Sequence, residues 1–147
     1  MPFQNNRCDV LSTLSRAPAI EVKLFAESLM SELEPIQVLE NRTGLVMLPM
    51  KEPVKGTTFY LGEVLIAEAH VQAHGVEGYA ACLGRDHEQA VALALIDAAN
   101  TAGVAQNEID QFYRAQANRL ENADQELLKQ VAATRVEMET FEWLMPK

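Results

Sequence analysis

The chain has 147 residues, 48% of them hydrophobic, which suits one globular domain with a real core and excludes global disorder. Its 21 acidic and 12 basic residues give a formal net charge of -9, which opposes nucleic acid or an anionic membrane as principal partner. Cys8 and Cys82 belong to no CxxC pair, and the N-terminal MPFQNNRCDV has no apolar secretion core, so the sequence reads as cytoplasmic, without a disulfide framework or zinc site.

Val10, Leu11 and Leu14 mark a short amphipathic helix within residues 9–16. Pro18 suits the first turn of a second helix running to Leu33, with Ile20, Leu24, Met30 and Leu33 as its buried stripe and Pro35 as its stop. Residues 36–40 and 45–50 are apolar runs around a polar Asn41-Arg42-Thr43-Gly44 turn, a hairpin signal. Residues 51–56, with Pro53, read as an exposed loop. Residues 57–61 and 64–71 are two further strands, with Gly62-Glu63 as a bulge or turn between them, and His74-Gly75 turns the chain into a last strand at 79–83. Successive strands joined by short turns predict an antiparallel sheet of four to five strands within residues 36–83.

Gly84 permits a tight turn into a helix over 86–102. Asp86 suits its N-cap, and Gln89, three residues on, can complete a capping box. Ala90, Val91, Leu93, Ala94, Leu95, Ile96 and Ala98 make this helix apolar around most of its circumference, so it must be buried against the sheet. Gly103 stands at the C′ position. Residues 106–144 form a long C-terminal helical region, one helix or two that nearly abut at 122–124, with apolar positions at Ile109, Phe112, Leu120, Leu127, Val131, Val136 and Phe141. The whole is a single α+β domain over residues 1–147, with N-terminal helices at 9–33 and a central helix packed on an antiparallel sheet.

Few residues point to chemistry. Arg85 and His87 flank the start of the central helix, where free N–H groups and a guanidinium can hold an anion or a partner, yet the Asp86 carboxylate competes for those N–H groups. His70 and His74 have the spacing of helical metal ligands but lie at a strand end and turn without a third ligand, so no metal site is read there. Glu63, Glu68, Glu77 and Glu88 are not paired by spacing and read as solvated. Cys82 reads as a small core hydrophobe. No catalytic residue stands out. Phe141, Trp143, Leu144 and Met145 are too apolar for a free tail: they fold back on the domain or dock on a partner. Such a helix, left without a partner subunit, is expected to bury its apolar face in a homo-oligomer.

The segment LGRDHEQAVALALIDA resembles the central motif of the PhnG family, a subunit of the bacterial carbon–phosphorus lyase system. The likeness covers residues 11–141 and includes Thr43-Gly44-Leu45-Val46-Met47, Phe59-Tyr60-Leu61-Gly62-Glu63-Val64 and Ala133-Thr134-Arg135-Val136. It departs where Ala67-Glu68 replaces a Thr-Arg pair common in the family, and where no arginine follows Arg135. The resemblance implies a subunit of a core complex with nucleosidase-like, accessory and radical S-adenosylmethionine subunits and an ATP-binding cassette component. It implies that this assembly couples a phosphonate to the ribose of ATP with loss of adenine. It further implies MgATP, and an iron–sulfur cluster with S-adenosylmethionine in the lyase subunit, with no cofactor in this chain. The rival readings are a stand-alone small-molecule or phosphate binder acting through Arg85, and a divergent paralogue with another protein partner.

Overall fold

A computed structural model describes residues 6–137. In chain order the elements are α1 (Arg7–Ser15), α2 (Ala19–Leu33), β1 (Ile36–Lys51), β2 (Thr58–Ala73), β3 (Val76–Leu83), α3 (His87–Ala102) and α4 (Gln106–Ala133). The class is α+β, and the sheet is antiparallel with order β1-β2-β3.

That sheet has three strands, not four to five. Asn41, Arg42, Thr43 and Gly44 do not turn; they pair in register with Ala69, Glu68, Ala67 and Ile66, inside one 16-residue strand. Gly62-Glu63 lies inside β2, opposite Leu48 and Met47, and it makes no turn; the register shifts beside it, between Leu48 and Pro49, as a bulge in a continuous strand does. The polar residues of β1 stay extended because Arg42 bonds across the ladder to Glu68, a cross-strand charge pair on a solvated face. The reversal occurs at residues 52–57, where the Glu52 carboxylate accepts the N–H groups of Val54 and Lys55 and the Glu52 N–H donates to the Thr57 carbonyl at 3.0 Å.

The second correction concerns α2. Ile20, Leu24 and Met30 are exposed, and the buried stripe is Val22, Ala26, Leu29 and Leu33. Small Ala26 sits where α2 meets α3, so a stripe with an alanine at its centre packs closer than one of Leu and Met. The break considered at 122–124 is absent: α4 is continuous, and Asp124 points outward to the Arg16 guanidinium at 3.0 Å. The helix ends at Ala133 with Thr134 as its C-cap, and residues 138–144 of the expected helical region lie outside the described residues.

Helix α3 lies between the sheet and the other helices. Every residue from Ala92 to Ala99 is buried, which explains why its apolar character runs all the way round. Against it the sheet presents Ala67, Ala69, Val71 and Ala73 from β2, and Gly78, Ala80 and Cys82 from β3. Small residues on both sides bring the backbones unusually near. A Cβ placed on Gly78 would overlap the Ala94 carbonyl oxygen and come within 2.8 Å of the Ala98 Cβ.

Asp97 fixes this packing. It is 2% exposed in the middle of an apolar helix, and its carboxylate accepts Nε and Nη2 of Arg7 at 2.7 and 2.5 Å and the backbone N–H of Tyr79 at 2.9 Å. One side chain therefore ties α1, α3 and β3 together. On the far side, Phe25 of α2 stacks on Phe112 of α4 with ring centroids 4.2 Å apart.

Gly78→Ala is expected to destabilise the chain by about 3 kcal/mol, because the clash is with helix backbone that cannot swing aside. Urea denaturation measures this, and a change below about 0.5 kcal/mol would mean that α3 does not sit this close.

Candidate functional site

The start of α3 is built by a tight turn. β3 ends at Leu83, Gly84 takes φ +97°, which suits glycine, and the chain re-enters as a helix at His87. Asp86 is the N-cap: one carboxylate oxygen accepts the Gln89 N–H at 3.0 Å. The other meets the Lys23 ammonium of α2 at 2.9 Å, and Glu88 joins from 3.4 Å. The Asp86 carboxyl is held below the usual carboxylate range, first by the Gln89 N–H and then by Lys23. The anion that a helix N-terminus attracts is thus part of the chain itself.

His87 turns away from this pair and places Nδ1 3.2 Å from the Asn41 side-chain oxygen of β1. Gln89 is buried and contributes its backbone N–H to the cap. Arg85 is exposed and makes no ion pair among the described residues. Between α2, α3 and β1 lies an open groove of about 280 Å³, with Ala26, Met30, Val91 and Leu95 as apolar lining and Lys23, Glu27 and Glu88 as charged lining. Phe141, Trp143, Leu144 and Met145 lie outside the described residues.

Asp86, Gln89 and His87 therefore come together with two residues that the sequence does not mark for this place: Asn41 stands in the stretch with a turn signal, and Lys23 carries no signal of its own. No local signal reveals either, since each reaches α3 across tens of residues of chain. Asp97 did carry a signal: a lone carboxylate amid alanines and leucines asks for a buried partner.

A second polar cluster covers the open face of the sheet. Glu68 accepts the Tyr79 hydroxyl at 2.6 Å and the Arg42 Nε at 2.5 Å, while Arg42 Nη1 reaches Glu40 at 2.7 Å. The Tyr79 hydroxyl, then Arg42, hold the Glu68 carboxyl below its usual range, and Glu68 raises the tyrosine in return. His70 Nε2 lies 3.2 Å from Glu77. Glu68 thus has its countercharge one strand away. Glu68, Glu77 and Glu88 are paired rather than free. Burial pushes the Cys82 thiol up, in line with a core role.

Asp86→Ala is expected to cost about 1 kcal/mol at pH 7, and Asp86→Asn less, because asparagine caps as well. The carboxyl titrates lower in the folded chain than in the unfolded one, so its stabilisation is present above pH about 4 and lost on acidification below it. The gap between wild type and Asp86→Ala should then close at low pH. Denaturation at both pH values checks the sign.

The match with known proteins spans nearly the whole of this architecture. The family model described as phosphonate metabolism protein PhnG matches residues 5–142. A protein of Rhizobium meliloti (strain 1021) named alpha-D-ribose 1-methylphosphonate 5-triphosphate synthase subunit PhnG is 30% identical over 136 residues, 92% of this chain and 87% of the relative. The match takes in α1 to α4, the capped start of α3 and the full length of the β1–β2 ribbon. The chain belongs to the PhnG family of phosphonate metabolism proteins.

Proposed function

We propose that this chain is a subunit of the assembly that makes alpha-D-ribose 1-methylphosphonate 5-triphosphate, the first product on the carbon–phosphorus lyase route of phosphonate breakdown. The observation that carries this reading is the end-to-end similarity to a relative named as a subunit of that synthase. The reaction transfers a phosphonate to the ribose of ATP with loss of adenine. In this reading the chain supports that transfer as a required structural partner of a nucleosidase-like subunit. The other partners are an accessory subunit, a radical S-adenosylmethionine subunit and an ATP-binding cassette component. MgATP and the iron–sulfur cluster with S-adenosylmethionine are held by those partners.

The geometry supports a scaffolding role. The polar groups at the start of α3 are bonded to one another, Asp86 to the Gln89 N–H and Lys23, His87 to Asn41, and so hold three elements in place. No helix among the described residues is long and apolar enough to cross a membrane. In this reading the assembly works in the cytoplasm. All residues from Glu121 to Ala133 on α4 are exposed, including Leu127, Leu128 and Val131. This stretch leads into Phe141, Trp143, Leu144 and Met145, and the chain alone self-associates through it.

Incubated alone with ATP and methylphosphonate, the purified chain should release no adenine; release by the chain alone would favour a stand-alone enzyme. Expressed with the remaining synthase subunits of its organism, it should co-purify with them. Arg85→Ala, which removes an exposed guanidinium without an ion pair, should change stability by less than about 0.5 kcal/mol and weaken that co-purification. A large loss of stability would instead make Arg85 a structural residue.

A further inference from the structure

Beyond the body of the domain, β1 and β2 continue together as a bare two-stranded ribbon. β3 pairs with β2 only up to Leu83 opposite Ile66, and His87 on the first turn of α3 reaches β1 no further than Asn41. From residue 43 to the turn at 52–57 and back to residue 64 no third strand pairs with these two among the described residues, over a length of about 30 Å, and the Gly84 N–H marks the base by donating to the Leu65 carbonyl at 3.0 Å.

This ribbon is apolar on both sides. Register places Leu45, Met47 and Tyr60 on the face that α3 covers lower down, and their exposures are 62%, 58% and 63%. Val46, Leu48, Met50 and Phe59 lie on the opposite face, each between 42% and 44% exposed. A two-stranded hairpin in water is marginal, and this one lacks the polar alternation that would keep one face solvated. Together its large side chains leave on the order of 800 Å² of apolar surface open, what one partner contributes to a standard interface.

Charge narrows the occupant. Residues 43–65 hold two lysines, Lys51 and Lys55, and two glutamates, Glu52 and Glu63, so the ribbon is neutral while the chain as a whole carries -9. Lys51, Glu52 and Lys55 sit at the turn end, whereas Glu63 stands opposite Met47 on the ribbon's face, so a cleft that takes the ribbon is apolar except for one counter-charge that meets Glu63. A second copy laid ribbon on ribbon would cover one face of each and leave the other in water. The α2–α3 groove of a second copy is lined by Lys23, Glu27 and Glu88 and is too small to hold the ribbon.

Two glycines add an independent indication. Gly44 and Gly62 both fall on the face of Val46 and Leu48, and a Cβ on either would meet nothing within 4 Å. Neither has a positive φ; Gly62 stands at the register shift between Leu48 and Pro49, where a bulge suits glycine, and no contact among the described residues requires glycine at Gly44. Bare backbone in mid-strand fits close approach by the backbone of another molecule.

We propose that residues 43–65 are a docking arm that inserts, with both faces covered, into a two-walled apolar cleft on a different subunit of the synthase. This rests on the subunit reading above. The arm supplies the interface, while the α-helical body stays outside the cleft.

The test uses the tagged full-length chain co-expressed with the remaining synthase subunits of its organism. Leu45→Asp and Leu48→Asp charge one face each, and Gly62→Val fills the bare backbone. Each should leave the melting of the body unchanged and weaken capture of the subunits at least tenfold. Amide exchange over residues 43–65 should be fast in the chain alone and slowed at least tenfold in the complex. Capture of the subunits with unchanged exchange in the arm, or sensitivity to only one of the two leucines, overturns the proposal. Slow arm exchange in the chain alone, in step with dimerisation by light scattering, assigns the arm to a second copy and overturns it too. If the wild-type chain captures no subunit, the subunit reading fails and the arm proposal falls with it.

Discussion

The contact between Gly78 on β3 and the backbone of α3 at Ala94 and Ala98 is the constraint on which the rest of the structure depends. Once a helix lies that close to a sheet, the facing residues must be small, and they are: Ala67, Ala69, Ala73, Ala80 and Cys82 below, Ala90, Ala94 and Ala98 in the helix. Alanine-on-alanine packing buries little area per residue, so the interface needs something further to hold its register. Asp97 supplies it. A carboxylate bonded to Arg7 and to the Tyr79 N–H allows one position of α3 along the sheet, whereas apolar contacts alone would allow several. With α3 fixed, the larger side chains Val22, Leu29, Leu33, Leu93, Ile96 and Ile109 close the core from the helical side.

The same economy governs the start of α3. A helix N-terminus facing solvent between two other elements invites a ligand, yet Asp86 fills it and Lys23 neutralises Asp86. The cluster joins α2 to α3 at one end just as Phe25 on Phe112 joins α2 to α4 on the other side. A carboxylate whose negative charge is used twice, by the helix dipole and by an ammonium, is well placed to hold shape and poorly placed to take up a proton near neutral pH.

How much of this was legible in the sequence depends on the range of the interaction. The Asp86 cap, the apolar run after it, the glycine at 103 and the His74-Gly75 reversal are encoded within a few residues, and the corresponding elements stand where those residues put them. The class, helices around an antiparallel sheet, followed from the same local signals. The strand count did not, because a polar stretch such as Asn41-Arg42-Thr43 has the composition of a turn and is kept extended by its ladder with β2, where Arg42 meets Glu68, 26 residues further on. The buried face of α2 was misread for a related reason. Several faces of that helix carry apolar residues, and what selects Val22, Ala26 and Leu29 is the small size of the opposing surface. Periodicity reports where apolar residues recur; it does not report which recurrence a neighbour will accept.

The distribution of side-chain size follows from these facts and sets the character of the molecule. The sheet–helix interface is made of alanines, while Leu45, Met47, Leu48, Phe59, Tyr60 and Leu61 stand in water on a ribbon that the body does not touch. A chain selected only for its own stability would place its largest apolar groups in its core, where burying each contributes about 1.5–3 kcal/mol. Here they are held outside, on a ribbon too long and too apolar to be an ordinary hairpin turn. The body is accordingly a rigid mount: α3 locks the base of β2 and β3, the Arg42–Glu68–Tyr79 ladder stiffens the sheet where the ribbon leaves it, and the apolar surface is spread along about 30 Å of ribbon leading away from the body.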